Sequence, residues 1–179
     1  MKLLPLDVDQ RNVEEQGPYM PDVVIAYDQY GTGLTAKLLV ERINARIRGC
    51  RFDLHLWRLD VLTFPSCQIK AGEQAGKADI VIFAVQGEIC WPETTKQWVR
   101  SWISEARQRT NALVALIAGN QQNNTDMKHS AAYLYLEEVA NQGRMDFFPH
   151  ACRTSDELIG DDLRHRATYI TRFLQECLN

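Results

Sequence analysis

The chain has 179 residues, a length that suits one domain with a full hydrophobic core. Apolar residues make up 45% and charged residues 24%, as in ordinary globular proteins. The net charge of −3 argues against a nucleic-acid binder, and no run approaches the ~20 apolar residues of a membrane-spanning helix. We therefore expect a globular domain without a nucleic-acid or membrane partner.

Residues 1–21 contain three prolines and no sustained apolar period. Their start, MKLLPLDVDQ, has a broken apolar stretch followed by acidic residues, so we expect no secretory signal. We interpret residues 1–21 as an extension that drapes over the domain or is partly disordered. Residues 22–179 are interpreted as a single α/β domain.

The cysteines and histidines show no spacing that is typical of metal ligands. The five cysteines form no C-x-x-C pair, which favours reduced thiols in a cytoplasmic protein over a disulfide framework or a zinc site. They are Cys50, Cys67, Cys90, Cys152 and Cys177. The four histidines are equally scattered. We therefore expect a cytoplasmic location and no metal site.

The first predicted strand and helix follow the extension. Residues 23–27 are entirely apolar, which indicates a strand that is buried on both faces. A helical pattern over residues 34–47 places Leu39, Ile43 and Ile47 four apart on one face.

The second round begins with a less apolar strand. Residues 52–61 alternate as a half-exposed strand does, but the parity switches near Trp57, which predicts a bulge or a crossing of the sheet edge. A short helix is predicted over residues 66–77. Residues 79–85 are again continuously apolar and predict a third, buried strand.

The next helix is predicted over residues 93–109, with Trp98 and Trp102 along one side. We expect both tryptophans to pack on the sheet; if either is exposed, homodimerisation through this helix becomes the hypothesis. Residues 112–118 predict a fourth strand that is apolar on both faces.

Capping residues predict the last two helices. Asp126 is predicted to cap a helix that runs to Gln142, with Gly143 as its C-terminal stop. A brief strand follows over residues 145–148. A capping box at residues 154–157 predicts the final helix.

Strands that alternate with helices predict a parallel sheet with right-handed crossovers and helices on both faces. The first, third and fourth strands are apolar on both faces and belong in the centre. The second and fifth belong at the edges. The order 2-1-3-4-5 satisfies this placement, which is the three-layer, flavodoxin-like α/β arrangement.

In a sheet of this order, ligands collect at the carboxyl ends of strands one and three. The stretch GTGLT follows strand one there; its glycines permit close approach, and the N–H groups that begin the next helix suit an anion such as phosphate. The alternative is that the glycines only turn the strand into the helix. The predicted site residues are Asp28, Gly31, Thr32, Gly33, Thr35, Gln86, Gly87, Trp91 and Asn120.

No catalytic residue is identified. Asp28 has three open roles: a general base, a residue that orients an anion-binding loop, or a helix N-cap. Cys90 lies in a neighbouring loop and becomes a candidate nucleophile only if a base adjoins it, so a structural thiol is favoured.

The segment IAYDQYGTGLT resembles the first strand and phosphate loop of flavodoxins, with Thr32, Gly33 and Thr35 on the motif T-G-x-T. The resemblance implies that these residues hold the phosphate of FMN, and that residues 86–88 with Trp91 lie beside its ring. It also implies an FMN-dependent oxidoreductase. The chain as a whole resembles small uncharacterised bacterial proteins of the flavodoxin-like fold, which implies no activity.

Receiver domains share this strand order, but Gln86 stands where they carry the phosphorylated aspartate. Three hypotheses follow. The first is a module that binds a small anion, a nucleotide or a partner at the ends of strands one and three. The second is the FMN-dependent oxidoreductase. The third is a degenerate, receiver-like interaction domain.

Overall fold

The computed structural model describes residues 20–47, 51–106, 111–119 and 127–152. The strands are β1 (Asp22–Tyr27), β2 (Asp53–Arg58), β3 (Ile80–Gln86), β4 (Ala112–Ala118) and β5 (Asp146–Cys152). The α-helices are α1 (Tyr30–Arg46), α2 (Pro65–Lys77), α3 (Glu93–Ala106) and α4 (Ala131–Gly143), and a 3₁₀-helix covers Leu59–Thr63. Within these ranges, no helix has both the length and the apolar character that a membrane span needs.

The five strands form one sheet in the order β2-β1-β3-β4-β5, and every neighbouring pair is parallel. The predicted strand order and α/β fold class are therefore confirmed. The three most apolar strands lie in the centre, where helices cover both of their faces. The less apolar β2 and β5 form the edges.

Helices pack on both faces of the sheet. α2, α3 and α4 cover one face, over a core that includes Val24 and Phe83. α1 covers the other face, where its residue Val40 packs with Ile25 and Ile82. The odd and even residues of each central strand thus belong to different cores, as the period of two requires.

Trp98 and Trp102 of α3 are 0% and 1% exposed. The expected packing of this helix on the sheet is therefore confirmed. The hypothesis of dimerisation through these tryptophans required their exposure, so it loses its basis.

The predicted bulge or edge crossing near Trp57 is wrong. β2 ends at Arg58, and the chain then turns through the 3₁₀-helix. Leu59 and Leu62, three residues apart, are buried by this turn. The change of apolar parity therefore marks the end of the strand.

Three boundaries near the end of the described chain also differ from the prediction. Ser130 caps α4 by accepting a hydrogen bond from the N–H of Tyr133, and Arg144 takes the left-handed position (φ 54°) after Gly143. β5 extends to Cys152 because an edge strand accommodates Pro149. The predicted cap Asp126 and the final helix lie outside the described residues.

Candidate functional site

The predicted site lies where β1 and β3 end. The two strands pair in parallel from Val23 opposite Ile80 to Tyr27 opposite Ala84. Their carboxyl ends therefore lie side by side, as the predicted location of the site requires.

Asp28 joins three elements at this edge. Its Oδ2 atom accepts a hydrogen bond from the backbone N–H of Gln86 at 2.9 Å, and its Oδ1 atom accepts one from the Thr32 hydroxyl at 2.9 Å. Its own N–H donates to the carbonyl of Ala84 at 3.3 Å. The half-buried carboxylate thus connects the end of β1 to the end of β3 and to the first turn of α1.

The glycine-containing stretch is the first turn of α1, and the prediction that the helix begins at residue 34 is wrong. α1 begins at Tyr30, so only Asp28 and Gln29 connect it to β1. Gln29 is the N-cap, and its N–H donates to Thr32 Oγ1 at 3.2 Å. Among the three roles considered for Asp28, the N-cap is therefore taken by its neighbour.

The threonine hydroxyls of this turn donate within the chain. The buried Thr32 hydroxyl lies 2.7 Å from the carbonyl oxygen of Gln29 and 2.9 Å from Asp28 Oδ1, and its single proton serves one of them at a time. Thr35 donates to the carbonyl of Gly31 at 3.0 Å. The phosphate-binding role of Thr32 and Thr35 stays a prediction, and a phosphate would compete with these acceptors.

Gly33 provides space for an aromatic ring. A Cβ atom at position 33 would lie 2.7 Å from both Cγ and Cδ2 of Tyr27. Such distances are far below a van der Waals contact of about 3.5–4.0 Å. The glycine therefore permits the last side chain of β1 to pack against α1.

The loop after β3 is joined to β4 and α4. The N–H of the buried Gly87 donates to the carbonyl of Ala118 at 2.8 Å, and its carbonyl accepts from Ala132 at 3.0 Å. Gln86, whose N–H donates to Asp28, is the last residue of β3. Asn120 lies outside the described residues.

Trp91 packs on the face of the sheet opposite α1. Its ring contacts that of Tyr135 of α4 at 4.6 Å between centroids with a tilt of 40°, and it meets Phe83 edge-on at 6.0 Å. Its indole N–H donates to the carbonyl of Ala131 at 3.3 Å. The ring thus holds the β3–α3 loop against α4, and its predicted place beside a flavin stays untested.

The three described cysteines are free thiols with different environments. Cys90 is exposed, whereas Cys67 and Cys152 are half-buried. Burial raises the pKa of the Cys152 thiol to about 11, and the negative charge of Asp28 adds to this increase. Cys152 is therefore protonated at neutral pH and is a poor nucleophile.

Two aromatic residues at this edge were missed by the sequence reasoning. Tyr30 begins α1 and is 72% exposed, and Phe64 precedes α2 and is 61% exposed. Nearby, Arg58 and Asp60 form an exposed ion pair of 2.6 Å, and this hydrogen bond lowers the pKa of the Asp60 carboxyl. The available signals in the sequence were Tyr30 between polar and glycine residues just after the first strand, and Phe64 directly before the proline that begins α2.

Comparison of the chain with protein-family models gives no match, and comparison with curated proteins gives none either.

Proposed function

We propose that the chain is a partner-binding module of flavodoxin-like architecture, which binds another protein at the carboxyl edge of its sheet. The observation that carries this proposal is the exposure of two aromatic side chains there, Tyr30 at 72% and Phe64 at 61%. Aromatic residues are enriched at protein interfaces because they bury a large area at a small loss of rotamer freedom.

The connections of two neighbouring strands carry these side chains. β1 and β2 pair in parallel, so their carboxyl ends lie at the same edge. Tyr30 follows β1 after two residues, and Phe64 follows the 3₁₀-helix after β2. Ile69, in the first turns of α2, is 64% exposed and adds an apolar side chain to the same end of that helix.

The polar groups of the edge favour a protein over a small anion. The hydroxyls of Thr32 and Thr35 already have acceptors within the chain. A phosphate that replaced them at Thr32 would also face the carboxylate of Asp28. The phosphate and the carboxylate are both negative, and placing two like charges side by side in a partly desolvated site is unfavourable by several kcal/mol.

We also propose that the protein acts in the cytoplasm. Its described cysteines are unpaired, including the exposed Cys90. Exposed thiols persist in the reducing cytoplasm more readily than in oxidising compartments.

The test places a photo-crosslinking amino acid at position 30 of the full chain in its own cells, with position 148 as the control. Phe148 is 55% exposed on β5, the opposite edge strand. The captured protein is then titrated against Tyr30→Ala, Phe64→Ala and Phe148→Ala. We expect the first two changes to weaken binding at least ~10-fold, as interface anchors do, and the third to have no effect.

Equal affinities of all three variants would contradict the proposal. The proposal would also be contradicted if FMN bound saturably at micromolar concentration, as measured by the quenching of flavin fluorescence, and if Tyr30→Ala left this binding unchanged. Sedimentation of the purified chain shows whether the partner is a second copy of itself.

A further inference from the structure

We propose that Asp22, Asp53 and His55 form a binding site for a divalent first-row transition metal ion at the amino edge of the sheet. The site is separate from the carboxyl edge, so it is independent of the proposed partner. It also departs from the expectation, based on histidine spacing, that the chain has no metal site.

The register of β1 and β2 brings these residues together. Asp22 lies opposite Asp53, and Val24 lies opposite His55. Alternate residues of a strand share a face, so all three side chains lie on the face that α2 covers. One ligand atom of each side chain lies within 4.8 Å of the other two.

Small movements close this arrangement around an ion. Metal–ligand bonds of about 2.0–2.2 Å place the ligand atoms of one ion roughly 3–4 Å apart. The Nε2 atom of His55 already lies 3.8 Å from Asp53 Oδ2. The Asp53 side chain is 55% exposed, so it can rotate toward the other two.

The charges of the surroundings favour a cation. Among the described residues, no lysine or arginine forms an ion pair with Asp22 or Asp53. Imidazole with carboxylates is a ligand set that suits Zn²⁺, Ni²⁺ and Fe²⁺.

Gln74 of α2 contacts the Nδ1 atom of His55. The indole N–H of Trp57 donates to Gln74 Oε1 at 2.8 Å, and Gln74 Nε2 lies 3.2 Å from His55 Nδ1. An indole N–H can only donate, so it fixes the amide with its N–H toward His55. Nδ1 is therefore the acceptor, and the neutral ring carries its proton on Nε2.

Metal binding must reverse this arrangement. When Nε2 binds the ion, the ring proton moves to Nδ1, where it faces the N–H of Gln74. The amide must then turn over and leave the indole N–H of Trp57 without its acceptor. Gln74 is thus a positioning residue that weakens the site, whereas a carboxylate at position 74 would accept from both Trp57 and His55.

Ni²⁺ is the probe, because imidazole and carboxylates bind it, whereas the thiols of the chain compete for Zn²⁺. The full chain is titrated by calorimetry, and the ion is located by the broadening of NMR resonances near it. We expect His55→Gln and Asp53→Asn to weaken binding at least ~10-fold. His150→Gln, on the opposite edge strand, is the matched control and keeps the affinity of the unmodified chain.

Gln74→Glu tests the positioning role. We expect it to strengthen Ni²⁺ binding about 10-fold in the unmodified chain and to have no effect in the His55→Gln background. Wild-type affinity of His55→Gln, or broadening centred on another histidine, would overturn the site. An unchanged affinity of Gln74→Glu would overturn the role of Gln74.

Discussion

The carboxylate of Asp28 accepts the backbone N–H of Gln86 at 2.9 Å, across the point where the winding of the sheet reverses. This bond continues the parallel pairing of β1 and β3 beyond their last paired residues. The second carboxylate oxygen accepts the hydroxyl of Thr32, so one side chain sets the exit of two strands and the start of α1. At this place, where this architecture often binds ligands, both carboxylate oxygens of Asp28 thus accept hydrogen bonds from within the chain.

Asp28→Asn is expected to lower the free energy of unfolding by about 1–3 kcal/mol. The amide has one acceptor oxygen for two donors, and the loss of charge near the N-terminus of α1 removes a favourable interaction with the helix dipole. Urea denaturation measures the change. Glu41→Gln, in the exposed pair with Lys37, is the control, and we expect no measurable effect from it. If Asp28→Asn is as stable as this control, the carboxylate does not hold the two strand ends together.

Gly33→Ala is expected to destabilise the protein, although alanine in a helix is normally better than glycine by about 1 kcal/mol. The new Cβ atom would lie 2.7 Å from the ring of Tyr27, which must move. Thermal unfolding of the single variant and of Gly33→Ala combined with Tyr27→Ala measures the effect. In the Tyr27→Ala background we expect the substitution at Gly33 to be neutral or stabilising. A stabilising effect in the unmodified chain would show that Tyr27 does not require the glycine.

The sheet was predictable because the strands differ in local composition. The apolar runs that became β1, β3 and β4 indicate burial on both faces without knowledge of their neighbours, and this places them in the centre. The start of α1 was not predictable in this way. Gly31 and Gly33 are typical of turns, and the reason for Gly33 is a ring that lies six residues earlier and meets it only in the folded chain.

The proposed metal site could not be predicted from the sequence for a similar reason. Ligand spacing in a sequence relates residues of one segment, and of the other two proposed ligands only Asp53 lies near His55 in the sequence. Asp22 is opposite Asp53 through the register of two strands that are joined by a whole helix. The pattern D-x-H on an edge strand was the available signal, since residues two apart share a face.

Trp91→Ala is expected to lower the free energy of unfolding by about 2 kcal/mol, less than the ~3–5 kcal/mol typical of a fully buried tryptophan, because the side chain is half-buried. It removes the ring contact with Tyr135 and the hydrogen bond to Ala131. Chemical denaturation measures the loss, and Trp91→Phe, which keeps a ring at this place, is expected to lose less. If Trp91→Ala is as stable as the unmodified chain, Trp91 does not stabilise the fold, and a role in binding becomes the explanation for its presence.

The stability of the protein is expected to fall between pH 9 and pH 11 through Cys152. Burial raises the pKa of this thiol to about 11 in the folded state, from an ordinary value of 9.0. The folded state therefore retains a proton that the unfolded chain releases, so the contribution is complete below pH 9 and is lost as the pH rises toward 11. The expected loss is about 1 kcal/mol, because a pKa unit corresponds to ~1.4 kcal/mol and partial exposure reduces the effect.

Urea denaturation of the unmodified chain and of Cys152→Ala, compared at each pH, measures this loss of stability. Tyr135, whose pKa burial raises to about 12, titrates in both proteins and cancels from the difference. A difference in stability that stays constant from pH 8 to about pH 11 would show that the thiol ionises as freely in the folded protein as in the unfolded chain.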